Sequence, residues 1–134
     1  MSRNKLQDVR VLIVDDDPDI RTSVDVAFRA EGAVTELVED GNAAVHACQT
    51  NPPRLVILDM MLPKRSGFLV LEKIKQVDPV PIVIMMTANE GRRHMVYAET
   101  LGVDAYLQKP VPLQRLIEKA VALLDAAESA AETP

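Results

Sequence analysis

Aromatic residues are almost absent from this chain, which has no Trp, two Tyr and two Phe among 134 residues. The interior must therefore be built from Val, Leu, Ile, Ala and Met, since hydrophobic residues still make up 48% of the sequence. Together with 26% charged residues, this composition is typical of a globular protein and excludes a largely disordered one. The length fits one domain with one core.

Cysteine and long apolar runs are also scarce. The single cysteine, Cys48, cannot form an internal disulfide, which favours a reducing, cytoplasmic location. The longest apolar stretch, residues 80–86, contains Pro81 and is far too short to cross a bilayer, so we expect no membrane segment and no secretory signal. The net charge of -5 argues against direct nucleic-acid binding by this domain, because phosphate contacts need clustered Lys and Arg.

Short apolar runs alternate with segments of helical periodicity along the chain. Five such strand–helix units predict an α/β fold, a parallel sheet with helices on both faces. Asp17, Pro18 and Gly32 are typical of the start and the end of the first helix. We predict strands at residues 9–14, 33–37, 55–58, 81–86 and 104–108, and helices at residues 18–31, 41–49, 67–77, 92–101 and 113–124.

Chemically active side chains follow four of the predicted strands. Asp15 and Asp16 follow the first strand, Asp59 the third, Thr87 the fourth and Lys109 the fifth. The carboxyl ends of parallel strands lie at one edge of a sheet, so these groups should converge there. Two carboxylates about 4 Å apart repel by roughly 4 kcal/mol at an effective dielectric near 20, so the cluster needs a bound cation, a raised pKa or a helix N-terminus.

The residue types of this cluster suit phosphoryl chemistry with a metal ion. Carboxylates with few other ligands favour Mg²⁺, which prefers oxygen ligands and keeps several waters. Lysine and threonine can hold phosphate oxygens, and an aspartate can act as a nucleophile and form an aspartyl phosphate. The sequence therefore predicts a site for Mg²⁺ and a phosphoryl group.

Four spaced motifs resemble the receiver domain of bacterial two-component response regulators, the CheY-like family. They are "VLIVDDDPDIR", "LVILDMMLPKRSG", "IVIMMTAN" and "GVDAYLQKPV", and the resemblance extends over residues 8–125. It implies a doubly wound, flavodoxin-like sheet of five parallel strands in the order 2-1-3-4-5, flanked by five helices. We expect residues 1–7 to be a lead-in and residues 126–134 to be a tail or the start of a linker.

The resemblance also implies a role for each residue of the cluster. Asp59 matches the phosphoacceptor, and Mg²⁺ would be held by Asp15, Asp16, Asp59 and the backbone carbonyl of Met61. Thr87 and Lys109 match the hydroxyl and the lysine of the site. Tyr106 matches the aromatic switch residue, and the peptide bond between Lys109 and Pro110 is expected to be cis.

The implied function is that of a phosphorylation-controlled signalling switch, not of an ordinary enzyme. A histidine kinase or a histidine phosphotransfer protein would donate the phosphoryl group. Tyr106 would then turn inward and change the face made by the fourth helix, the fifth strand and the fifth helix. That face would bind a downstream protein, a missing output domain or a second copy of the chain.

Some local features depart from the family pattern or admit another explanation. Ser66 stands where an Asp is frequent, and Lys64 and Arg65 make its loop unusually basic. Met61 and Asn89 occupy variable positions beside the site. His46 and His94 are expected to be solvent-exposed on helix faces, and with Arg92 and Arg93 the second histidine forms a basic group on the fourth helix.

Two other classes of function remain open. The domain could be an interaction module that is never phosphorylated, although every chemical position is filled. It could also be a phosphohydrolase with an aspartyl nucleophile, like the haloacid dehalogenases. Those enzymes need a second Asp two residues after the nucleophile, and Met61 at that position counts against this alternative.

Overall fold

The computed structural model describes residues 6–88 and 91–132. Five strands alternate with five helices over these residues, as the sequence predicts. The strands are β1 (Arg10–Val14), β2 (Val34–Val38), β3 (Leu55–Asp59), β4 (Ile82–Thr87) and β5 (Ala105–Gln108). The helices are α1 (Pro18–Ala30), α2 (Gly41–Thr50), α3 (Gly67–Ile74), α4 (Arg92–Thr100) and α5 (Leu113–Glu132).

All strand pairs are parallel, and the order in the sheet is β2-β1-β3-β4-β5. The predicted fold class and strand order are thus confirmed. Ile13 of β1 pairs with Ile57 of β3, which pairs with Ile84 of β4. This register places the ends of β1, β3 and β4 side by side, and so aligns the residues that follow them.

The sheet separates two hydrophobic layers, because alternate residues of each strand point to opposite faces. Val11, Ile13 and Ile57 pack with α1 and α5 on one face. Leu12, Val56 and Leu58 pack with α2, α3 and α4 on the other. Strand β3 is buried along its whole length, as its uninterrupted apolar sequence predicts.

Helix α1 begins and ends where the sequence indicates. The Asp17 side chain accepts hydrogen bonds from the backbone N–H groups of Asp19, at 2.9 Å, and of Ile20, at 3.3 Å. Pro18 occupies the first helical position. Gly32 follows the last turn with φ of +90°, a backbone conformation that favours glycine.

Two helices differ from the prediction by more than one residue. Helix α3 ends at Ile74, and the backbone N–H groups of Gln76 and Val77 then bond three residues back, to Lys73 and Ile74, in a tighter turn. Helix α5 continues through the Ala- and Glu-rich segment to Glu132, eight residues beyond the predicted end at Leu124. Ala and Glu are strong helix formers, and residues 125–132 contain neither Gly nor Pro.

Among the helices of the described residues, none has the length and apolar character needed to cross a membrane.

Candidate functional site

The predicted site residues converge at the carboxyl edge of the sheet. Asp15 follows β1, Asp59 and Thr87 are the last residues of β3 and β4, and Lys109 follows β5. Asp15, Asp59 and Thr87 are buried, whereas Asp16 is exposed. The site is therefore a pocket with two carboxylates in its floor and a third at its rim.

The three carboxylates form a potential metal site. One oxygen each of Asp15, Asp16 and Asp59 can be chosen so that all three lie within 4.8 Å of one another. Such a set of oxygen donors, open to solvent on one side, fits a hard cation such as Mg²⁺. The Met61 side chain is 65% exposed, and its backbone N–H lies 3.4 Å from Asp59 Oδ1, so this residue lines the same edge.

Lys109 supplies a positive charge between the two buried carboxylates. Its Nζ lies 3.0 Å from Asp15 Oδ2 and 3.3 Å from Asp59 Oδ1. The peptide bond to Pro110 is cis, as the resemblance implied. Lys109 thus connects the end of β5 with the ends of β1 and β3.

The electrostatics of the pocket perturb Asp59. Burial, followed by the charge of Asp15, raises the pKa of Asp59 from 3.8 to about 6, although Lys109 opposes this shift. Burial lowers the pKa of Lys109, but the hydrogen bonds and charges of Asp15 and Asp59 outweigh it, and the net shift is upward. Asp59 therefore remains largely ionised at neutral pH, while Lys109 remains a cation.

Backbone contacts hold Asp15 in place. Its Oδ1 accepts a hydrogen bond of 3.0 Å from the backbone N–H of Asp17, and its own N–H donates to Val38 in β2. Two of the three compensations that the sequence suggests are thus found, a raised pKa at Asp59 and the N-terminal region of α1 beside Asp15. Lys109 adds a positive charge of its own.

Thr87 and Tyr106 meet at the sulfur of Met60, the residue that follows Asp59. Thr87 Oγ1 lies 3.6 Å and Tyr106 Oη 3.8 Å from Met60 Sδ, within the range of weak hydrogen bonds to sulfur. Tyr106 also hydrogen-bonds to Thr87, and burial raises the pKa of its hydroxyl despite that bond. The Tyr106 hydroxyl thus points toward the site in this structure.

Gly67 allows α3 to start directly against the site. A Cβ atom at this position would lie 2.6 Å from the backbone oxygen of Asp59 and 2.6 Å from Cα of Met60. Only glycine permits such a close approach, so the helix fixes the backbone on both sides of the Asp59–Met60 bond. Ser66 caps the helix through a hydrogen bond from the N–H of Leu69.

The structure adds two residues that the sequence prediction did not single out. Met60 was counted among the core methionines, and only its position next to Asp59 could have distinguished it. Arg21 lies one turn into α1, and its Nη1 donates a 2.8 Å hydrogen bond to the backbone oxygen of Asp15. No sequence pattern specifies how far such a long side chain reaches back.

The expectation for His94 was wrong. This residue is partly buried, because it faces α3 and its ring stacks on Phe68 with centroids 5.7 Å apart. His46 is exposed, as predicted, and so are Arg92 and Arg93. Asn89 lies outside the described residues.

The doubly wound sheet carries an acidic pocket, a hydroxyl and a lysine at its carboxyl edge, an arrangement that fits a receiver domain. Residues 11–121 match the family described as the response regulator receiver domain, and the chain belongs to this family. It is therefore a receiver domain of the two-component type, a signalling module.

Known proteins agree with this assignment in sequence and in structure. The chain is 36% identical over 124 residues to the probable transcriptional regulatory protein TcrX of Mycobacterium tuberculosis, covering 92% of this chain and 53% of TcrX. It is 36% identical over 115 residues to the DNA-binding response regulator MtrA of Mycolicibacterium smegmatis, covering 86% of this chain and 50% of MtrA. The chain thus spans about half the length of these relatives.

A solved CheY-like receiver domain from Methanospirillum hungatei superposes with a TM-score of 0.88 at 31% identity, covering 92% of this chain and 99% of that one. NtrX from Brucella abortus superposes with a TM-score of 0.86 at 30% identity, covering 94% of this chain and 29% of NtrX. The shared fold accordingly occurs both as a protein of similar length and as part of a much longer chain.

Proposed function

We propose that Asp59 accepts a phosphoryl group from a histidine kinase or a histidine phosphotransfer protein in the presence of Mg²⁺, and that this switches a partner-binding face. The observation that carries the proposal is the position of Asp59, buried at the acidic cluster with Lys109 Nζ 3.3 Å from its Oδ1. The domain would catalyse only its own phosphorylation and dephosphorylation.

The donor set fits the metal. Asp15, Asp16 and Asp59 would hold Mg²⁺ through carboxylate oxygens, with the backbone carbonyl of Met61 as a further ligand. When bound, Mg²⁺ supplies positive charge that offsets the charge on the phosphoryl oxygens. The oxygen donors of this site therefore suit Mg²⁺ as the cofactor.

Asp59 would be the nucleophile. With a pKa of about 6, its carboxylate is available at neutral pH. One of its oxygens bonds to phosphorus while the P–N bond of the donor phosphohistidine breaks, and the bonding electrons remain on the imidazole nitrogen. Later attack of water on phosphorus releases inorganic phosphate and restores the carboxylate.

Lys109 and Thr87 would bind the transferred group. Lys109 now contacts Asp59 Oδ1 and can move its ammonium to a phosphoryl oxygen, where the charge of the transition state is greatest. The Thr87 hydroxyl can donate to a second phosphoryl oxygen. Such a move draws Thr87 away from Met60 Sδ and so alters the environment of Tyr106.

The face made by α4, β5 and α5 would carry the output. An open groove of about 460 Å³ lies there, lined in part by Arg92, Met95, Tyr106 and Arg115. Tyr106 belongs to both this groove and the site, so a change in its position reaches the surface. The bound partner would be a downstream protein, an attached output domain or a second copy of the chain, selected by a shift between two states.

The two relatives are longer proteins, one named as a probable transcriptional regulatory protein and the other as a DNA-binding response regulator. We propose that this receiver domain likewise controls an output function located outside it. The domain itself would not contact nucleic acid, in keeping with its net charge of -5.

Intact-mass spectrometry after incubation with acetyl phosphate and Mg²⁺ tests the proposal. We expect a mass gain of one phosphoryl group in the wild-type protein. Asp59→Asn and a metal-free sample should show none, while Asp17→Asn, which changes a neighbouring helix-capping aspartate, should still be phosphorylated.

Beryllofluoride serves as a second probe, because rapid hydrolysis would conceal an adduct. With Mg²⁺ already present in both samples, addition of beryllofluoride should change the amide NMR spectrum of the wild-type protein and leave that of Asp59→Asn unchanged. If neither probe acts on the wild-type protein, the domain belongs to the interaction modules that are never phosphorylated.

A further inference from the structure

Arg21 of α1 reaches back to the peptide that joins Asp15 to Asp16. Its Nη1 donates a hydrogen bond of 2.8 Å to the backbone oxygen of Asp15, the peptide oxygen that lies between Asp15 and Asp16. Its side chain is only 18% exposed, although it carries a full charge. A guanidinium that is largely withdrawn from water needs such a strong acceptor to offset the cost of burial.

The second contact of Arg21 is weak by comparison. Its Nη2 lies 3.8 Å from Glu39 Oε2, and the Glu39 side chain is 72% exposed. Ion pairs of this kind contribute little to stability. The contact that holds the guanidinium is therefore the one to the Asp15 peptide.

We propose that Arg21 is a positioning residue for the metal site, which it serves by fixing the Asp15–Asp16 peptide. That peptide joins the two carboxylates that the structure brings near Asp59. Asp15 is already fixed on one side by its bond from the Asp17 N–H and by its N–H bond to Val38. Arg21 fixes the other side, so that the exposed Asp16 carboxylate is directed into the cluster. The inference rests on the proposed function, because it assigns Arg21 a part in Mg²⁺ binding.

Electrostatics alone predicts the opposite effect, which makes the inference testable. Removing a cation close to a metal site should strengthen Mg²⁺ binding if charge is all that Arg21 contributes. Removing a residue that orients metal ligands should weaken binding, and losses of roughly tenfold are typical of such partners.

The test measures the Mg²⁺ dissociation constant by amide NMR titration with MgCl₂. For Arg21→Gln we expect a dissociation constant roughly tenfold higher than that of the wild-type protein. Arg21→Lys keeps the charge and one donor and should recover part of the loss. Arg29→Gln is the matched control, because Arg29 lies on the same helix, two turns further on, is 68% exposed, and pairs with Asp25 instead of the site.

A second measurement separates positioning from folding. Phosphoryl uptake from acetyl phosphate is followed at increasing Mg²⁺, with thermal melts of each variant alongside. Positioning predicts that Arg21→Gln needs more Mg²⁺ for half-maximal uptake while its rate at saturating Mg²⁺ stays within about threefold of the wild-type rate, since the ligands themselves remain.

Each outcome of these titrations either supports or overturns the positioning role of Arg21. If Arg21→Gln binds Mg²⁺ as tightly as the wild-type protein or more tightly, the positioning role is overturned and the proposed function stands. If Arg21→Gln does not fold, Arg21→Met takes its place, because it keeps an apolar stem and removes the donors. A dissociation constant equal to that of the wild-type protein then overturns the role, and a raised one supports it. If the wild-type protein itself binds no Mg²⁺, both this role and the metal part of the proposed function are overturned.

Discussion

At the scale of single residues, Asp59 combines its proposed role as phosphoryl acceptor with a cost in stability. Its pKa is about 6 in the folded domain, against about 4 for an exposed aspartate. A carboxyl with a raised pKa binds its proton more tightly when folded, so the folded state loses stability as the pH rises through this range. The loss of folded-state stability is complete above about pH 6 and absent below about pH 4.

Asp59→Asn should therefore stabilise the metal-free domain at pH 7.5, by up to about 3 kcal/mol for a shift of two pKa units. The gain should shrink steadily as the pH is lowered from 6 to 4. Urea unfolding in EDTA at several pH values measures both effects. Asp16→Asn serves as the control, because Asp16 is exposed and should show a much smaller gain. A less stable Asp59→Asn at pH 7.5 would contradict the argument.

Met60 is the second residue of interest, because its sulfur contacts both proposed switch residues, Thr87 and Tyr106. Met60→Leu keeps the side-chain volume but removes the acceptor, so stability should change by less than about 1.5 kcal/mol. We expect Tyr106 to become more exposed and mobile in the unphosphorylated variant.

The Tyr106 environment can be observed by ¹⁹F NMR after incorporation of fluorotyrosine. The chain has only two tyrosines, so Tyr97→Phe assigns the spectrum. Met85→Leu is the control, since Met85 is fully buried in the same hydrophobic cluster as Met60. A Tyr106 signal that is identical in the wild-type protein and Met60→Leu would show that the sulfur has no such role.

At the scale of elements, the strands and helices follow from patterns that are local in sequence. Strand β3 is continuous in its apolar residues, and α1 has its cap, its proline and its glycine in the right places. The sequence of β2 indicates a strand less clearly than that of β3, because β2 is the outermost strand of the sheet and is half exposed. The end of α5 was missed, since the Ala- and Glu-rich segment reads equally as a frayed tail or as a solvent-exposed helix.

The last turns of α5 should contribute little to the fold. Residues 125–130 are exposed, and the ion pair between Arg54 and Glu128, at 3.6 Å, lies on the surface. Deletion of residues 126–134 should therefore lower the free energy of unfolding by no more than about 1 kcal/mol. Phosphoryl uptake should be unchanged, since the site lies at the carboxyl ends of the strands, whereas Glu128 contacts Arg54 at the amino end of β3.

Urea unfolding and intact-mass spectrometry of the shortened protein check this expectation. Arg54→Gln in the full chain separates the ion pair from the helix itself. A shortened protein that is strongly destabilised would place the boundary of the receiver domain beyond residue 125.

At the scale of the whole molecule, the site was easier to predict than the contacts that support it. The carboxyl ends of parallel strands lie at the same edge of the sheet, independently of the conformation of the loops. The sequence positions therefore sufficed to place four residues at that edge, namely Asp15, Asp59, Thr87 and Lys109. The reach of Arg21 and the shared sulfur of Met60 depend on side-chain geometry between distant segments. The stacking of His94 on Phe68 likewise depends on how α4 packs against α3.

The two ends of helix α5 lie at opposite ends of the sheet strands. Leu113, at its start, lines a cavity with Lys109, whereas Glu128, near its end, meets Arg54 just before β3. Twenty helical residues span about 30 Å, so the helix runs from the chemical edge of the sheet past the opposite edge. The helix thus has one end beside the proposed phosphorylation site and the other on the far side of the domain. If phosphorylation shifts the start of α5, the continuous helical backbone would carry that shift to the opposite end of the domain.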